Sequence, residues 1–342
     1  MRLSDKRQGF VLLLLSATAA LSGCGNDTFA PPPPSGTKAA RPVGPIAPIQ
    51  AKEIVFILPA GDNEDLRTIE SVARLQTGQA RAIFRSLKVS EEEPPAKQAE
   101  MIKQAVADGA SAIVIVPNAA KETAEALAAV DQKKTPIIVL GQLPAGLKGG
   151  PYTLVTWPAF EPSAKLIVDA IVEDVKKASL PEDAPVLFLK ADPPDMTSAA
   201  RDAALLDALK TTKHPVAATV PMTNDATAKG VLKDALKAHP KICAIIGDDV
   251  LGVSTATAVR VDMKDAGAYL IGGYCATNIT IKLVDLNQNS ILVDRNVEGL
   301  VRKAIASALQ RSEGKSVPDR IEVEMTVRRA VGNVAKPVPL VP

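Results

Sequence analysis

The chain has 342 residues, with 40 Lys+Arg against 38 Asp+Glu and a formal net charge of +2. Without the first 23 residues the balance is 37 to 37, so the body of the chain lacks the basic excess of a nucleic-acid binder. The two histidines, His214 and His239, each precede a proline in a loop-like context, which argues against a histidine-based triad or metal cluster.

The chain opens MRLSDKRQGF, a basic head with Arg2, Lys6 and Arg7. FVLLLLSATAAL follows, an apolar run shorter than the ~20 residues a membrane-spanning helix needs. Leu21, Ser22, Gly23 and Cys24 come next, and this order of apolar, small, small, Cys resembles the bacterial lipobox. The resemblance implies a signal peptide over residues 1–23, cleavage after Gly23 and diacylglycerol on the Cys24 sulfur. Acyl chains at ~0.8 kcal/mol per buried CH₂ would hold such a protein at a membrane. Residues 24–51 are rich in Pro, Ala, Gly and Ser, and Pro31–Pro34 favour polyproline II, rising ~3.1 Å per residue. They read as a semi-rigid tether between membrane and body.

From residue 53 short apolar runs alternate with helical stretches. EIVFILP, RAIFRSL, SAIVIVP and TPIIVLG read as strands, and KQAEMIKQAVADGA and ETAEALAAVDQ as helices. Gly109 is a natural stop for the first of these helices. The strands are almost wholly apolar, as in a parallel sheet covered on both faces. The pattern restarts with a helix from 163, then the strands APVLFLK, AATVPM, ICAIIGDD, GAYLIGGYC and SILVDRN, separated by helices from 198 and 227 and followed by one near 296. Such alternation predicts α/β architecture with two doubly wound parallel-sheet lobes. IEVEMTVRRAV, residues 321–331, alternates like one last strand that is partly exposed or belongs to the hinge. Cys243 and Cys275 fall at opposite ends of their strands, too far apart for a disulfide, and are expected to be free thiols.

Residues 97–140 resemble the first lobe of the type I periplasmic sugar-binding proteins, those like ribose-binding protein, through Gln98, ADGASAIVIVPN and TPIIVLG. The similarity extends over most of 53–331. It implies two Rossmann-like lobes joined by a three-strand hinge, with a first lobe of 52–156 plus 294–320 and a second of 157–293 plus 321–336. SAARDAALLDALK resembles the helix that bears the family's ligand-binding arginine, which places that role on Arg201. CAIIGDDVLGVSTATAV resembles the strand end whose aspartate accepts from ligand hydroxyls, which points to Asp249 with Asp248 before it. YLIGGYC puts Cys275 where the family has an acidic ligand residue, and Asp294 follows Val293 near its usual glutamine. The first strand loop offers Asp62 and Asn63 in place of stacking aromatics. Trp157, the single tryptophan, either supplies a stacking surface or plugs the hinge.

The implied function is capture of a sugar or related polar solute between the lobes and delivery to an ABC permease, by a monomer anchored through Cys24 to the extracytoplasmic face of a membrane. A sensory lipoprotein of the same fold, reporting occupancy to a membrane receptor, is the alternative. Nothing calls for a cofactor or metal, and no nucleophile–base motif supports an enzyme.

Overall fold

The computed structural model describes residues 51–61, 63–147, 150–192, 196–262, 269–275, 278–285 and 289–329. The signal and tether with Cys24, the loop residue Asp62 and everything beyond 329 lie outside the described residues.

The first lobe is built from β1 (Glu53–Leu58), α1 (Glu64–Gln79), β2 (Ile83–Lys88), α2 (Lys97–Ala107), β3 (Ala112–Ile115), α3 (Lys121–Ala129), β4 (Ile137–Leu140) and β5 (Thr153–Thr156). The second takes α4 (Glu161–Lys177), β6 (Val186–Ala191), α5 (Met196–Lys210), β7 (Val216–Met222), α6 (Asp225–Ala238), β8 (Ala244–Gly247), α7 (Val250–Asp262), β9 (Leu270–Tyr274), α8 (Asn278–Asp285) and β10 (Ile291–Asp294). The chain then returns through α9 (Val297–Ser312) and β11 (Arg320–Glu322) and crosses once more to β12 (Thr326–Arg329). Each sheet has six strands, in the orders β2-β1-β3-β4-β5-β11 and β7-β6-β8-β9-β10-β12. All pairings are parallel except β10 with β12. Both sheets belong to one compact unit.

Burial on both faces explains why the strands read as solid apolar runs. Along β1, Ile54, Phe56 and Leu58 enter one core cluster, while Val55 and Ile57 enter the cluster on the opposite face. A side chain such as Phe56, fully buried, contributes roughly 1.5–3 kcal/mol relative to exposure. Helix α4 lays Ala164, Ile167, Val168, Ile171 and Val175 toward β9 and β10, a spacing of three and four that makes one stripe. Helix α9 does the same for the first lobe, packing against β3, β4 and β5. The helix that follows each of the first two crossings thus roofs the sheet of the lobe it enters.

The expected single hinge strand is two strands. Arg320–Glu322 pairs with β5 in the first sheet, Thr326–Arg329 pairs with β10 in the second, and Val323–Met325 spans the gap. Its alternating pattern comes from two short edge strands, each with one side unpaired. Strand β5 and helices α1, α7 and α8 are not among the stretches picked out by pattern. Strand β5 has four residues and begins and ends with threonine.

Cys243 and Cys275 are free and buried. Ala244 lies opposite Leu270 and Gly247 opposite Gly273, so the two sulfurs flank β8 and β9 at opposite ends. Burial pushes the Cys243 thiol up to about 12. The same pair of strands approaches very closely at its far end. Gly273 has φ +148°, and a Cβ there would meet the Gly247 carbonyl oxygen at 2.1 Å. The expected result of Gly273→Ala is a loss of about 3 kcal/mol or more in chemical denaturation, since backbone rather than a movable side chain would have to shift. Parental stability in the alanine variant would contradict the close approach.

Candidate functional site

Both sheets reverse their winding beside their first strand, between β1 and β3 and between β6 and β8. In open parallel sheets the crevice beyond the carboxyl ends at such a reversal is where ligands bind. In the second lobe that point is marked by Asp248, the residue that follows β8. Its Oδ1 accepts from the Ala191 N–H at the end of β6, at 3.0 Å, so the side chain bridges the two diverging strands.

Arg201 reaches this point from α5. Its Nε donates to the Asp248 carbonyl at 2.8 Å and its Nη1 to Thr197 Oγ1 at 2.9 Å, while Nη2 lies 3.8 Å from Asp248 Oδ2. Arg201 is 1 % exposed and Asp248 0 %. Asp249 is partly exposed and its Oδ1 accepts from the Gly252 N–H at 2.8 Å, which makes it the N-cap of α7. Burial pushes the Asp248 carboxyl well up. The neighbouring charge of Asp249 adds to this, Arg201 opposes it, and Asp202 adds further. Burial also pushes Asp249 up, against the Gly252 N–H and the charges of Arg201 and Arg295.

Arg295, which follows β10, drew no attention in the sequence, yet it organises the hinge side of the site. Its Nη2 sits 2.8 and 2.6 Å from the two carboxylate oxygens of Asp65 in the first turn of α1. Its guanidinium lies 5.4 Å from the centroid of the Trp157 ring, and its carbonyl accepts from Trp157 Nε1. Trp157 therefore ties the first crossing to the second. Phe160 stands 6.4 Å from Trp157 and 5.8 Å, edge-on, from Tyr274, and the Arg201 guanidinium is 6.0 Å from its ring. The Tyr274 hydroxyl lies 2.6 Å from Ser163 Oγ and donates to the Phe160 carbonyl at 3.3 Å; burial holds it up at about 12.

The remaining expected residues have local partners. Asn63 caps α1, accepting from Leu66 N–H at 2.9 Å. Asp294 accepts from the Asn296 N–H at 2.7 Å and shapes the entry to α9. Cys275 is buried with its sulfur 3.3 Å from Thr280 Oγ1 and 3.8 Å from Ser254 Oγ. Arg201, Asp248 and Asp249 come together, with Trp157 behind them through Phe160. The only signal for Arg295 was a basic residue directly after an apolar strand, and its partner lies 230 residues away in sequence.

A cavity of about 390 Å³ opens beside the first crossing, lined by Gln142, Thr156, Trp157, Phe160, Glu161 and Arg320 among others. Ala200, next to Arg201, also lines it. The lobes touch nearby: a Cβ on Gly141, at the end of β4, would meet the Thr197 methyl of α5 at 3.4 Å. Among the described residues no group of three or more His, Cys, Asp or Glu is arranged to hold a metal ion.

Residues 54–316 match the family described as the periplasmic binding protein domain. No curated protein matches the chain. Among solved structures it is similar to an ABC transporter periplasmic solute-binding protein from Actinobacillus succinogenes with bound D-allose, at 18 % identity and TM-score 0.67, covering 82 % of this chain and 98 % of that one. It is also similar to a carbohydrate transporter solute-binding protein from Agrobacterium radiobacter in complex with D-arabinose, at 20 % identity and TM-score 0.65, covering 82 % and 94 %. An ABC transporter solute-binding protein from Mycobacterium smegmatis with bound glycerol matches at 15 % identity and TM-score 0.67, covering 84 % and 99 %. At these identities the likeness is one of fold.

The raised Asp248 carboxyl has a consequence for stability. Below pH ~4 the group is protonated in the folded and unfolded chain alike; as pH rises toward its folded value only the unfolded chain readily ionises, so the stability the group allows is lost. Asp248→Asn keeps an acceptor for Ala191 and removes the titration. Its gain in Tm over the parent is expected to be small near pH ~4 and to grow toward pH ~8. A difference that is constant with pH would count against a raised Asp248.

Proposed function

The chain belongs to the periplasmic binding protein domain family, and from that membership we propose that it captures a sugar or related small polar solute between its lobes and delivers it to an ABC importer. The supporting observation is the Arg201–Asp248–Asp249 cluster at the topological reversal of the second sheet, where Arg201 also holds Thr197, whose methyl lies close to Gly141 of the first lobe. Asp249, with part of its surface open, would accept from solute donors. Arg201 supports it from behind by holding the Asp248 carbonyl and carboxyl, and it meets the solute as the lobes part and re-form around it. A solute that contacts both lobes favours the arrangement in which both sets of contacts exist together, and the differential affinity drives closure. The family is one of binding proteins, and the cluster has the ligand-holding rather than bond-breaking character that goes with this: its carboxyls are tied to a backbone N–H, a helix cap and a guanidinium.

Cys24 would carry the lipid, with residues 24–51 holding the lobes away from the membrane so that they can reach a permease.

The reading is tested by a thermal-shift screen of the protein against sugars, polyols and nucleosides. A ligand found this way is expected to change Trp157 emission, because Trp157 is bonded to one crossing and sits in the other. A confirmed ligand that leaves the emission unchanged would show that binding does not pass through the hinge. Separately, Cys24→Ala is expected to move the protein from the membrane to the soluble fraction on cell fractionation; unchanged membrane association would sink the anchor.

A further inference from the structure

Arg295 stands at the joint between the two lobes. Asp294 before it ends β10 and pairs with Thr326 of β12, so it belongs to the second sheet. Asn296 after it has φ +54° and caps α9, accepting from the Gly299 N–H at 3.0 Å, so it belongs to the first lobe. A Cβ on Gly299 would meet the Asn296 side chain at 2.6 Å, so the cap is packed tightly onto its helix. A change in the angle between the lobes at this crossing therefore falls on the few torsions around Arg295, where the Asp294 carboxylate already spans the joint to the Asn296 N–H at 2.7 Å.

The Arg295 side chain is not free to follow such a change. It is 4 % exposed, and its Nη2 lies 2.8 and 2.6 Å from the two carboxylate oxygens of Asp65. Asp65 sits in the first turn of α1, where a helix favours a carboxylate. The guanidinium also lies 5.4 Å from the Trp157 ring centroid, and the Arg295 carbonyl accepts from Trp157 Nε1. One residue is thus gripped by side chain and by backbone, from the first lobe and from the first crossing. The other carboxyls close by are engaged elsewhere: Asp248 faces Arg201 and shares a side-chain hydrogen bond with Asp202, and Asp249 caps α7.

We propose that the Asp65–Arg295 pair is a lock on the hinge. It holds the joint after β10 in the setting where the lobes meet, with Gly141 beside the Thr197 methyl, so part of the preference for closure is built into the chain itself. A pair of opposite charges with so little exposure resists separation, because parting leaves a charge where water reaches it poorly. Apparent affinity scales with the fraction of molecules already competent to bind, so the lock strengthens the binding of every solute by one factor and does not choose among them. It stands whether or not solute capture does.

Pulsed electron–electron resonance on the full-length chain tests this. Spin labels go on Leu75→Cys in α1 and Val231→Cys in α6, one exposed position on each lobe, with Cys24→Ala to leave no thiol in the tether. Cys243 and Cys275 are buried and should take no label. With the hinge intact, one main distance is expected. Asp65→Asn and Arg295→Gln are each expected to raise a second distance at least about tenfold, to on the order of a tenth of the molecules or more. Lys52→Ala, which breaks the Lys52–Glu313 pair inside the first lobe, is expected to leave the distribution unchanged. An unchanged distribution in either hinge variant overturns the lock, and so does equal broadening by Lys52→Ala. Should Asp65→Asn not fold, Arg295→Gln decides alone.

Discussion

A sheet whose strands run parallel sends every carboxyl end to the same edge, and the loops at that edge carry whatever the sheet is to present. Two such sheets, joined by a chain that passes between them three times, give this protein two presenting edges and one cleft. Most of what is specific about the molecule follows from where the crossings fall. Trp157 and Phe160 belong to the first, Arg295 to the second and Val323–Met325 to the third. Trp157 Nε1 bonds to the Arg295 carbonyl and Val323 N–H to the Thr156 carbonyl, so the three passages are stitched side by side. Motion of one lobe against the other has to be taken up in these few residues.

The electrostatics of the cleft grow out of the same geometry. Asp248 sits where β6 and β8 diverge, and its side chain spans them. A carboxyl placed there cannot be fully hydrated, and Arg201 is near enough to oppose, but not cancel, the cost of charging it. Replacing a buried ionic cluster by apolar residues often stabilises a protein, so clusters of this kind are weak evidence for stability. Their presence at a strand-end reversal, where ligands bind, accords better with a use in recognition.

How much of this could be read from the sequence depends on the range of the interactions involved. Strands such as EIVFIL and SAIVIV are legible because burial on both faces leaves an unbroken apolar run. Gln98 and Asn118 were legible as signature residues, and their role proves architectural: Gln98 bonds to the Val116 carbonyl and the Asn118 N–H, and Asn118 braces Pro95 and Thr123. Arg201, Asp248 and Asp249 could be picked out only because a resemblance singled them from many similar residues. What was not legible is the tertiary partnership. Nothing in a linear pattern pairs Arg295 with Asp65 or sets Tyr274 against Ser163. Strand β5 escaped notice because four residues bounded by threonines carry little periodicity.

The two cysteines set a kinetic condition. In the unfolded chain a thiol has ordinary reactivity, with a pKa near ~8.5, and an oxidising compartment can pair it with any other. In the folded chain Cys243 and Cys275 are buried at opposite ends of adjacent strands, beyond the reach of oxidants and of each other. Their redox fate is thus decided once, in the interval between arrival and collapse, by whether the second sheet closes over them before a disulfide forms. A chain that wins this race needs no reductant afterwards, and one that loses it carries a crosslink the native strand register cannot accommodate.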